Sequence, residues 1–275
     1  MSASGSPSAA TSASAAAPAP ASAPTPEAAS AATSHSARRT AVVIGVGPGL
    51  GMSVAHRFAR EGYAVALVSR TATRHAAYLA ALAGTGAEAA AYTADVRDRD
   101  KLLAVLDAVT ERFGTIDTVY YGPASTDPEG FPKPITEADS ASVRAAMSWM
   151  YPAVDVVAKV LPGMLERGEG CLLFATGLSA VTPMPALGNL AVLSAALHNY
   201  ALTLNAALAD KGVYAGSLVI GGLIERGDIH AMIASGPQDF GDVGNSTLDP
   251  DEIADVAWQL RTDRSSAAAT FSAFG

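Results

Sequence analysis

Three glycines stand in the pattern G-x-x-x-G-x-G directly after a short apolar run: Gly45, Gly49 and Gly51. Glycine lets the backbone come close to an anion, and a helix N-terminus offers unpaired N–H groups and the positive end of its dipole. The glycines therefore predict a phosphate-binding turn, because residues 41–44 suit a buried strand and residues 52–60 suit a helix. A tight turn without any ligand is the alternative interpretation.

The end of the second predicted strand carries cations and no carboxylate. The sequence there is Ser69-Arg70-Thr71, and Arg74 follows one turn later. In dinucleotide folds an acidic side chain at this place binds the ribose 2′-OH of NAD, whereas an arginine accommodates the 2′-phosphate of NADP. Since guanidinium pairs well with phosphate, these residues favour NADP(H) over NAD(H). Ordinary solvated charge at a helix start is the alternative for both arginines.

From Arg38 onward the chain alternates predicted strands and helices. The predicted strands are residues 41–44, 63–69, 87–93, 116–121, 171–175, 214–221 and 268–274. The predicted helices are residues 52–60, 73–83, 98–113, 140–166 with Pro152 inside it, 188–210 and 250–262. Such alternation predicts an α/β fold, a Rossmann-like doubly wound parallel sheet in a single three-layer α/β/α domain. Residues 222–247 are expected to be an irregular lid over a substrate pocket.

Residues 1–37 differ in composition from the rest of the chain. They are almost all Ala, Ser, Pro and Thr, and Glu27 is their only charged side chain. Without Leu, Val, Ile or aromatic residues they cannot offset the entropy of ordering by burial, so we expect a disordered tail before a folded domain of residues 38–275. The segment also lacks the basic start and apolar middle of a secretory signal.

Bulk properties narrow the function classes. The chain has 275 residues and a formal net charge of -8, which argues against a nucleic-acid or anionic-membrane surface. Cys171 is the single cysteine, so no intrachain disulfide can form and a reducing, cytoplasmic location is expected. No apolar run is long enough to span a bilayer, and no metal site is predicted.

Several segments, taken in order, resemble the short-chain dehydrogenase/reductase family over residues 38–275. The glycine turn matches the cofactor turn of that family, Asp95-Val96 matches its adenine-contacting pair, and residues 121–124 stand where it carries Asn-Asn-Ala-Gly. Ile220-Gly221 stands in place of its Pro-Gly. The resemblance and the motifs imply these cofactor-binding residues: Gly45, Gly47, Gly49, Leu50, Gly51, Ser69, Arg70, Asp95, Val96, Gly122, Pro123 and Gly221.

The catalytic residues of the family have no counterparts in this sequence. Members use an Asn, a Ser and a Tyr-x-x-x-Lys pair, in which the Tyr exchanges a proton with the substrate oxygen and the Lys lowers its pKa. The corresponding positions hold Trp149, Gly177, Leu190 and Ser194. No Tyr-x-x-x-Lys occurs anywhere in the chain. Because a general acid contributes about 10²–10⁴-fold in rate, the standard route is not expected.

Five polar side chains near the lost positions are the candidate replacements: Thr176, Ser179, Asn189, Ser194 and His198. Thr176 and Ser179 follow the fifth strand and are able to hydrogen-bond a substrate oxygen. Ser194 and His198 share a helix face with Leu190. The alternatives are a loop cap for the first two residues, a helix N-cap for Asn189 and plain packing for His198.

Three hypotheses follow for the function. The first is a divergent, NADP(H)-dependent oxidoreductase of the short-chain type that acts on a small organic substrate through a non-standard site. The second is a non-redox enzyme, such as a cyclase, lyase or isomerase, on the same scaffold. The third is a catalytically silent NADP(H)-binding protein. The long helices 140–166 and 188–210 are apolar over wide faces, which together with the resemblance predicts a homodimer or homotetramer.

Overall fold

The central sheet has seven strands, all parallel, in the order β3-β2-β1-β4-β5-β6-β9. The computed structural model describes residues 38–124, 126, 131–235 and 246–274. The strands of this sheet are β1 Thr40–Ile44, β2 Ala64–Ser69, β3 Ala89–Thr93, β4 Thr118–Tyr121, β5 Gly170–Gly177, β6 Val213–Gly221 and β9 Ala268–Ser272. The predicted tail, residues 1–37, lies outside the described residues.

Helices cover both faces of the sheet, and so its central strands are apolar on both sides. The helices are α1 Leu50–Arg60, α2 His75–Ala83, α3 Arg99–Phe113, α4 Ser140–Met147, α5 Tyr151–Arg167, α6 Gly188–Leu208, α7 Asp228–Ser235 and α8 Pro250–Asp263. One apolar core joins one face of the sheet to α3, α5 and α6, and a second core joins the opposite face to α1, α2 and α8. The predicted three-layer α/β/α fold is confirmed.

The strand order reverses between β1 and β4, and this reversal fixes where a ligand can enter. From β1 the chain builds outward through β2 and β3, and then returns to add β4 on the other side. Ile44, the last residue of β1, pairs with Val68 of β2 and Tyr121 of β4. Connections that diverge in this way leave a crevice at the carboxyl ends of the strands. The predicted phosphate turn opens into that crevice.

The predicted long helix of residues 140–166 is wrong, because two helices stand there. Residues 148–150 form a turn in which Trp149 and Met150 donate to carbonyls three residues back, at 3.1 and 2.9 Å. Pro152 is in the first turn of α5, where its missing N–H leaves no helix bond unmade, and Pro162 is the proline inside α5. The remaining predicted helices and main-sheet strands agree with the structure to within two residues at each end.

The segment 222–247, predicted to be irregular, contains regular structure. Its elements are β7 Leu223–Ile224, β8 Thr247–Leu248 and helix α7. The N–H of Leu223 donates to the carbonyl of Ser246 at 2.8 Å, and the N–H of Glu225 to that of Leu248 at 3.0 Å. Strands of two residues are too short to produce an alternating pattern in the sequence. Residues 236–245 lie outside the described part of the chain.

None of the described helices is long and apolar enough to cross a membrane. Within residues 38–124, 126, 131–235 and 246–274, no cluster of three or more His, Cys, Asp or Glu side chains is arranged to hold a metal ion.

Candidate functional site

The turn after β1 has a backbone that only glycine can form at Gly45. Its φ is +89°, and a Cβ there would lie 2.5 Å from the Cα of Pro123. The N–H groups of Gly45 and Val46 both donate to the carbonyl of Val68, at 2.9 and 3.0 Å. The turn is therefore tied to β2 on one side and packed on the chain after β4 on the other.

The N-terminus of α1 begins in this turn and has no side-chain cap. Gly49 is the cap residue, and no side chain accepts a hydrogen bond there. The N–H of Met52 donates to Gly47 and that of Ser53 to Gly49, both at 3.1 Å. The N–H groups before them, at the first turn of the helix, have no intrahelical partner. With no acidic side chain in the first turn, these donors and the helix dipole suit a phosphate.

A single large cavity of about 750 Å³ runs along the carboxyl edge of the sheet. Its lining includes Gly45, Gly47, Gly49, Leu50 and Gly51 of the turn, which brings the predicted phosphate site to the cavity wall. Ser69, Arg70 and Arg74 line one part of it, whereas Thr176, Leu190 and Ser194 line another. The cavity therefore joins the predicted phosphate site to the positions that the resemblance assigns to the family's catalytic residues.

The cations after β2 are held in a local network. Arg74 donates two hydrogen bonds to the carboxylate of Asp228, at 2.7 and 2.9 Å, and this bond raises the pKa of Arg74. Ser69 Oγ donates to the carbonyl of Thr71 at 3.0 Å and lies 2.8 Å from Nε2 of His75. Burial lowers the pKa of His75. This end of the cavity thus presents hydroxyls and two arginines.

Asp95, the predicted adenine contact, is bound by a side chain of its own turn. Arg97 donates to its carboxylate at 2.7 and 3.1 Å, which holds the pKa of Asp95 below its usual value. The guanidinium of Arg97 also lies 5.0 Å from the ring centroid of Trp149. Val96 lines the cavity. Asp95 therefore stabilises the turn through Arg97, whereas Val96 faces the cavity.

The chain after β4 closes the floor of the cavity. Gly122 and Pro123 line it, and a Cβ on Gly122 would collide with the hydroxyl of Tyr120. The hydroxyl of Tyr121 donates to the carbonyl of Trp149 at 2.6 Å. Burial raises the pKa of both tyrosines. Neither hydroxyl is suited to release a proton near neutral pH.

Two of the candidate serines, Ser179 and Ser194, meet at Gly177. A Cβ built on Gly177 would lie 3.1 Å from Oγ of Ser194 and 3.3 Å from Oγ of Ser179. Ser194 and Gly177 line the cavity, as does Leu190. Two hydroxyls therefore stand close to the position that the resemblance assigns to the family serine.

A chain of polar groups leads from the cavity wall into the layer under α6. Thr176 lines the cavity, and its Oγ1 lies 3.4 Å from Oγ of Ser217. Ser217 Oγ lies 2.9 Å from Nδ1 of His198. Ser217 is fully buried, and burial lowers the pKa of His198. Ser217 was not predicted from the sequence, where the only signal is a serine within an apolar strand.

Asn189 and Gly221, two of the predicted site residues, do not line the cavity. Asn189 is buried, and its Oδ1 accepts a hydrogen bond from the N–H of Lys133 at 2.7 Å. A Cβ on Gly221 would lie 2.5 Å from Cδ2 of Leu178, and it is the next residue, Gly222, that lines the cavity. Asn189 thus holds the loop after β4, and Gly221 allows close packing.

The segment from β7 to α7 lies across the phosphate turn. A Cβ on Gly49 would be 2.9 Å from a methyl of Ile224 and 3.0 Å from the carbonyl of Glu225. Arg226 has a left-handed φ of 64°, and its guanidinium pairs with Asp251 at 2.8 Å. His230 lines the cavity from α7. The expected lid is therefore an ordered segment over residues 223–235.

Comparisons with known proteins agree with this geometry. The family model described as short chain dehydrogenase matches residues 39–227. This chain belongs to the short-chain dehydrogenase family. The family predicted from the glycine turn and the later motifs is thus confirmed, while the loss of its catalytic residues stays a prediction.

Curated relatives of this short-chain dehydrogenase are reductases and dehydrogenases. An acetoacetyl-CoA reductase of Allochromatium vinosum is 26% identical over 227 residues, which cover 78% of this chain and 88% of the relative. A 1-deoxy-11-beta-hydroxypentalenate dehydrogenase of Streptomyces exfoliatus is 27% identical over 218 residues, which cover 78% of this chain and 77% of the relative. The chain therefore resembles oxidoreductases over most of its length.

Solved structures share the fold of this short-chain dehydrogenase. The L-sorbose reductase of Gluconobacter frateurii, solved with NADPH and L-sorbose, superposes with a TM-score of 0.75. The superposition covers 86% of this chain and 96% of the reductase at 21% identity.

Proposed function

We propose that this member of the family is an NADP(H)-dependent oxidoreductase that acts on a small organic substrate through a non-standard site. One observation carries the proposal: a single cavity connects the uncapped helix at the glycine turn with the pocket beside Thr176 and Ser194. A dinucleotide needs such a continuous path, since its phosphates and its reactive ring lie far apart. When bound, it would supply hydride transfer to or from the substrate.

The residues at the phosphate end fit the dinucleotide. The free N–H groups at the start of α1 would hold the diphosphate, and Gly45 and Gly49 leave the backbone surface bare. Arg70 and the hydroxyls of Ser69 and Thr71 suit a 2′-phosphate. Some solved relatives by fold, including the L-sorbose reductase, are complexes with NADP or NADPH, which supports the same preference.

The substrate end of the cavity is mainly apolar. Leu190, Leu193 and Leu197 of α6 and the ring of Trp149 contribute to its wall, with the hydroxyls of Thr176 and Ser194 among them. Such a wall suits an uncharged carbonyl or alcohol with an apolar body. The names of the relatives suggest two compounds for a first screen: a 3-oxoacyl thioester such as acetoacetyl-CoA, and a carbocyclic secondary alcohol.

The proton for a carbonyl oxygen would come through Thr176. During reduction of a carbonyl compound, the substrate oxygen would take the hydroxyl proton of Thr176. Thr176 then recovers a proton from Ser217, and Ser217 from Nδ1 of His198, while the other ring nitrogen takes one from water. Ser194 would orient the same oxygen. Burial lowers the pKa of His198 and so favours the neutral ring, which can accept at one nitrogen and donate at the other.

One observation favours two alternatives to this function. Leu190, at the position that the resemblance assigns to the family tyrosine, lines the cavity and has no proton to give. A non-redox enzyme or a silent nucleotide-binding protein would need no acid there. Turnover without a change in nicotinamide absorbance would indicate the first of these, and tight nucleotide binding without any turnover would indicate the second.

The test of the proposal is substrate-dependent oxidation of NADPH, followed by the absorbance of the nicotinamide. We expect turnover with at least one carbonyl compound of the apolar class. If NADPH binds, and neither a carbonyl compound with NADPH nor an alcohol with NADP⁺ changes the absorbance, the redox proposal is wrong and the non-redox alternatives remain.

Association through α5 and α6 is proposed as well. Tyr151 and Val154 of α5 and Val192 of α6 are exposed apolar side chains, with 54%, 38% and 39% of their surface accessible in the described chain. A homodimer or homotetramer would cover them. The mass in solution, measured by light scattering, tests this, and a monomer at micromolar concentration contradicts it. A cytoplasmic location is proposed on the basis of the single buried thiol of Cys171.

A further inference from the structure

Arg74 and Asp228 join two distant parts of the chain at the nucleotide end of the cavity. Two parallel bonds connect them, Nη1 to Oδ2 at 2.7 Å and Nη2 to Oδ1 at 2.9 Å, across 154 residues of sequence. Both residues line the cavity. Arg74 belongs to the turn after β2, where a 2′-phosphate would bind, and Asp228 is the first residue of α7.

The segment just before Asp228 is held against the phosphate turn and α8. The carbonyl of Glu225 and the Cα of Gly227 would lie 3.0 and 3.2 Å from a Cβ on Gly49. Arg226 is tied to Asp251 of α8 at 2.8 Å. The start of α7 thus rests against the turn, with its carboxylate directed at Arg74.

We propose that Asp228 is a specificity-determining residue that competes with the 2′-phosphate of NADP(H) for Arg74. The inference rests on the proposed function, because it assumes a dinucleotide in this cavity. A bidentate guanidinium–carboxylate pair has the same fork geometry as a guanidinium–phosphate pair, so Arg74 cannot make both at once. A carboxylate beside the phosphate also repels it, whereas it can accept a hydrogen bond from the 2′-OH of NAD(H).

The pair is able to exchange partners. The side chains of Arg74 and Asp228 are 51% and 46% exposed, so water screens their attraction and the pair is weak. Arg70 lines the same cavity, and its guanidinium also suits a 2′-phosphate. We expect Arg70 to raise the preference of the protein for NADP(H) over NAD(H), and Asp228 to lower it.

Binding of nucleotide fragments tests the inference without any catalytic step. We would titrate the full chain by calorimetry with 2′,5′-ADP, which carries the 2′-phosphate, and with 5′-ADP, which does not. Asp228→Asn should tighten 2′,5′-ADP by about 3- to 10-fold and leave 5′-ADP unchanged or weaker. Arg74→Gln should weaken the binding of 2′,5′-ADP. In the Arg74→Gln background, Asp228→Asn should tighten 2′,5′-ADP binding by less than it does in the wild-type chain, because the carboxylate then acts only by repelling the phosphate.

Asp255→Asn is the matched control. It removes the same charge from another ion pair, in which the exposed carboxylate of Asp255 lies 2.8 Å from Nε of Arg57. It should leave the ratio of the two affinities as it is, and thermal melting of each variant checks the fold.

The outcomes separate this inference from the proposed function. If the wild-type chain binds both fragments and Asp228→Asn leaves their ratio unchanged, Asp228 only supports α7 and the inference is wrong, while the proposed function stands. If Asp228→Asn changes the ratio by no more than Asp255→Asn does, the effect is general electrostatics and the inference is likewise overturned. If neither fragment nor NADPH binds to any variant, the proposed function fails as well.

Discussion

The two ends of the cavity are built in different ways. At the phosphate end the diphosphate would be bound by backbone N–H groups, and consecutive residues of one turn position them. At the other end the polar groups are side chains from β5, β6 and α6, which are distant in sequence. The first arrangement depends on the positions of glycines in one turn. The second arrangement depends on which side chains three separate elements contribute. A chain can therefore change its chemistry at one end while the other end keeps its form.

The largest effect should come from a side chain at Gly45. Its φ of +89° and the Pro123 backbone at 2.5 Å leave no room for a Cβ. We expect Gly45→Val to lower the free energy of unfolding by several kcal/mol, about 3 or more, and to abolish NADPH binding. Urea unfolding and calorimetry measure the two effects.

Gly47→Ala is the control for that change, since a Cβ on Gly47 meets nothing within 4 Å and its φ is not in the left-handed region. Its stability should stay within about 0.5 kcal/mol of the wild-type value. Equal stability of both variants would mean that the turn is not constrained as described.

Loss of the Thr176 hydroxyl should affect only the substrate end of the cavity. Thr176→Val keeps the shape of the side chain and removes the proposed donor, so we expect kcat to fall about 10²-fold while NADPH affinity is unchanged. Stopped-flow oxidation of NADPH and calorimetry separate the two. Asn199→Ala, an exposed position on α6, serves as the control. An unchanged kcat in Thr176→Val would remove Thr176 from the proposed proton path.

Reversal of charge at Arg70 should act at the phosphate end alone. A carboxylate there repels a 2′-phosphate and can accept a bond from a 2′-OH. Arg70→Glu should therefore weaken NADPH about tenfold or more and reverse the preference toward NADH. Titration with both nucleotides at one salt concentration measures it. Unchanged NADPH affinity would contradict the assignment of Arg70.

The smallest effect concerns pH. Burial lowers the pKa of His198 in the folded protein, whereas an unfolded chain keeps the ordinary value of about 6.5. Below that pH the unfolded state binds more protons than the folded state, so stability should fall as the pH drops from about 6.5 toward the folded pKa. His198→Gln should make this fall less steep in urea unfolding between pH 5 and 8. A fall as steep as in the wild-type protein would mean that His198 is not held neutral by burial.

Much of the fold could be predicted from the sequence because its signals are local. The glycine turn, the apolar strands and the capped helix α3, with Asp98 accepting from the N–H of Lys101 at 3.2 Å, each depend on neighbouring residues. The break at residues 148–150 could not be predicted in this way. Proline suits the first turn of a helix and disrupts a helix interior, but Pro162 lies inside α5, so a proline alone does not show where a helix begins.

The parts of the site that could not be predicted depend on contacts across the chain. Ser217 becomes a link only because β5 and β6 pair and α6 covers them, and Arg74 meets Asp228 only because the start of α7 lies beside the turn after β2. Asn189 was expected near the reacting groups, and its side chain is engaged instead by the loop that holds Lys133. Such partners follow from the topology and not from the spacing of residues.

The measurement that tests the central claim most directly is a calorimetric titration of the purified protein with NADPH and with NADH at fixed salt. We expect NADPH to bind with one site per chain and more tightly than NADH, because the turn holds the diphosphate and Arg70 the 2′-phosphate. Absence of binding by either nucleotide would contradict the account, and would mean that the cavity keeps the form of a dinucleotide site without its function.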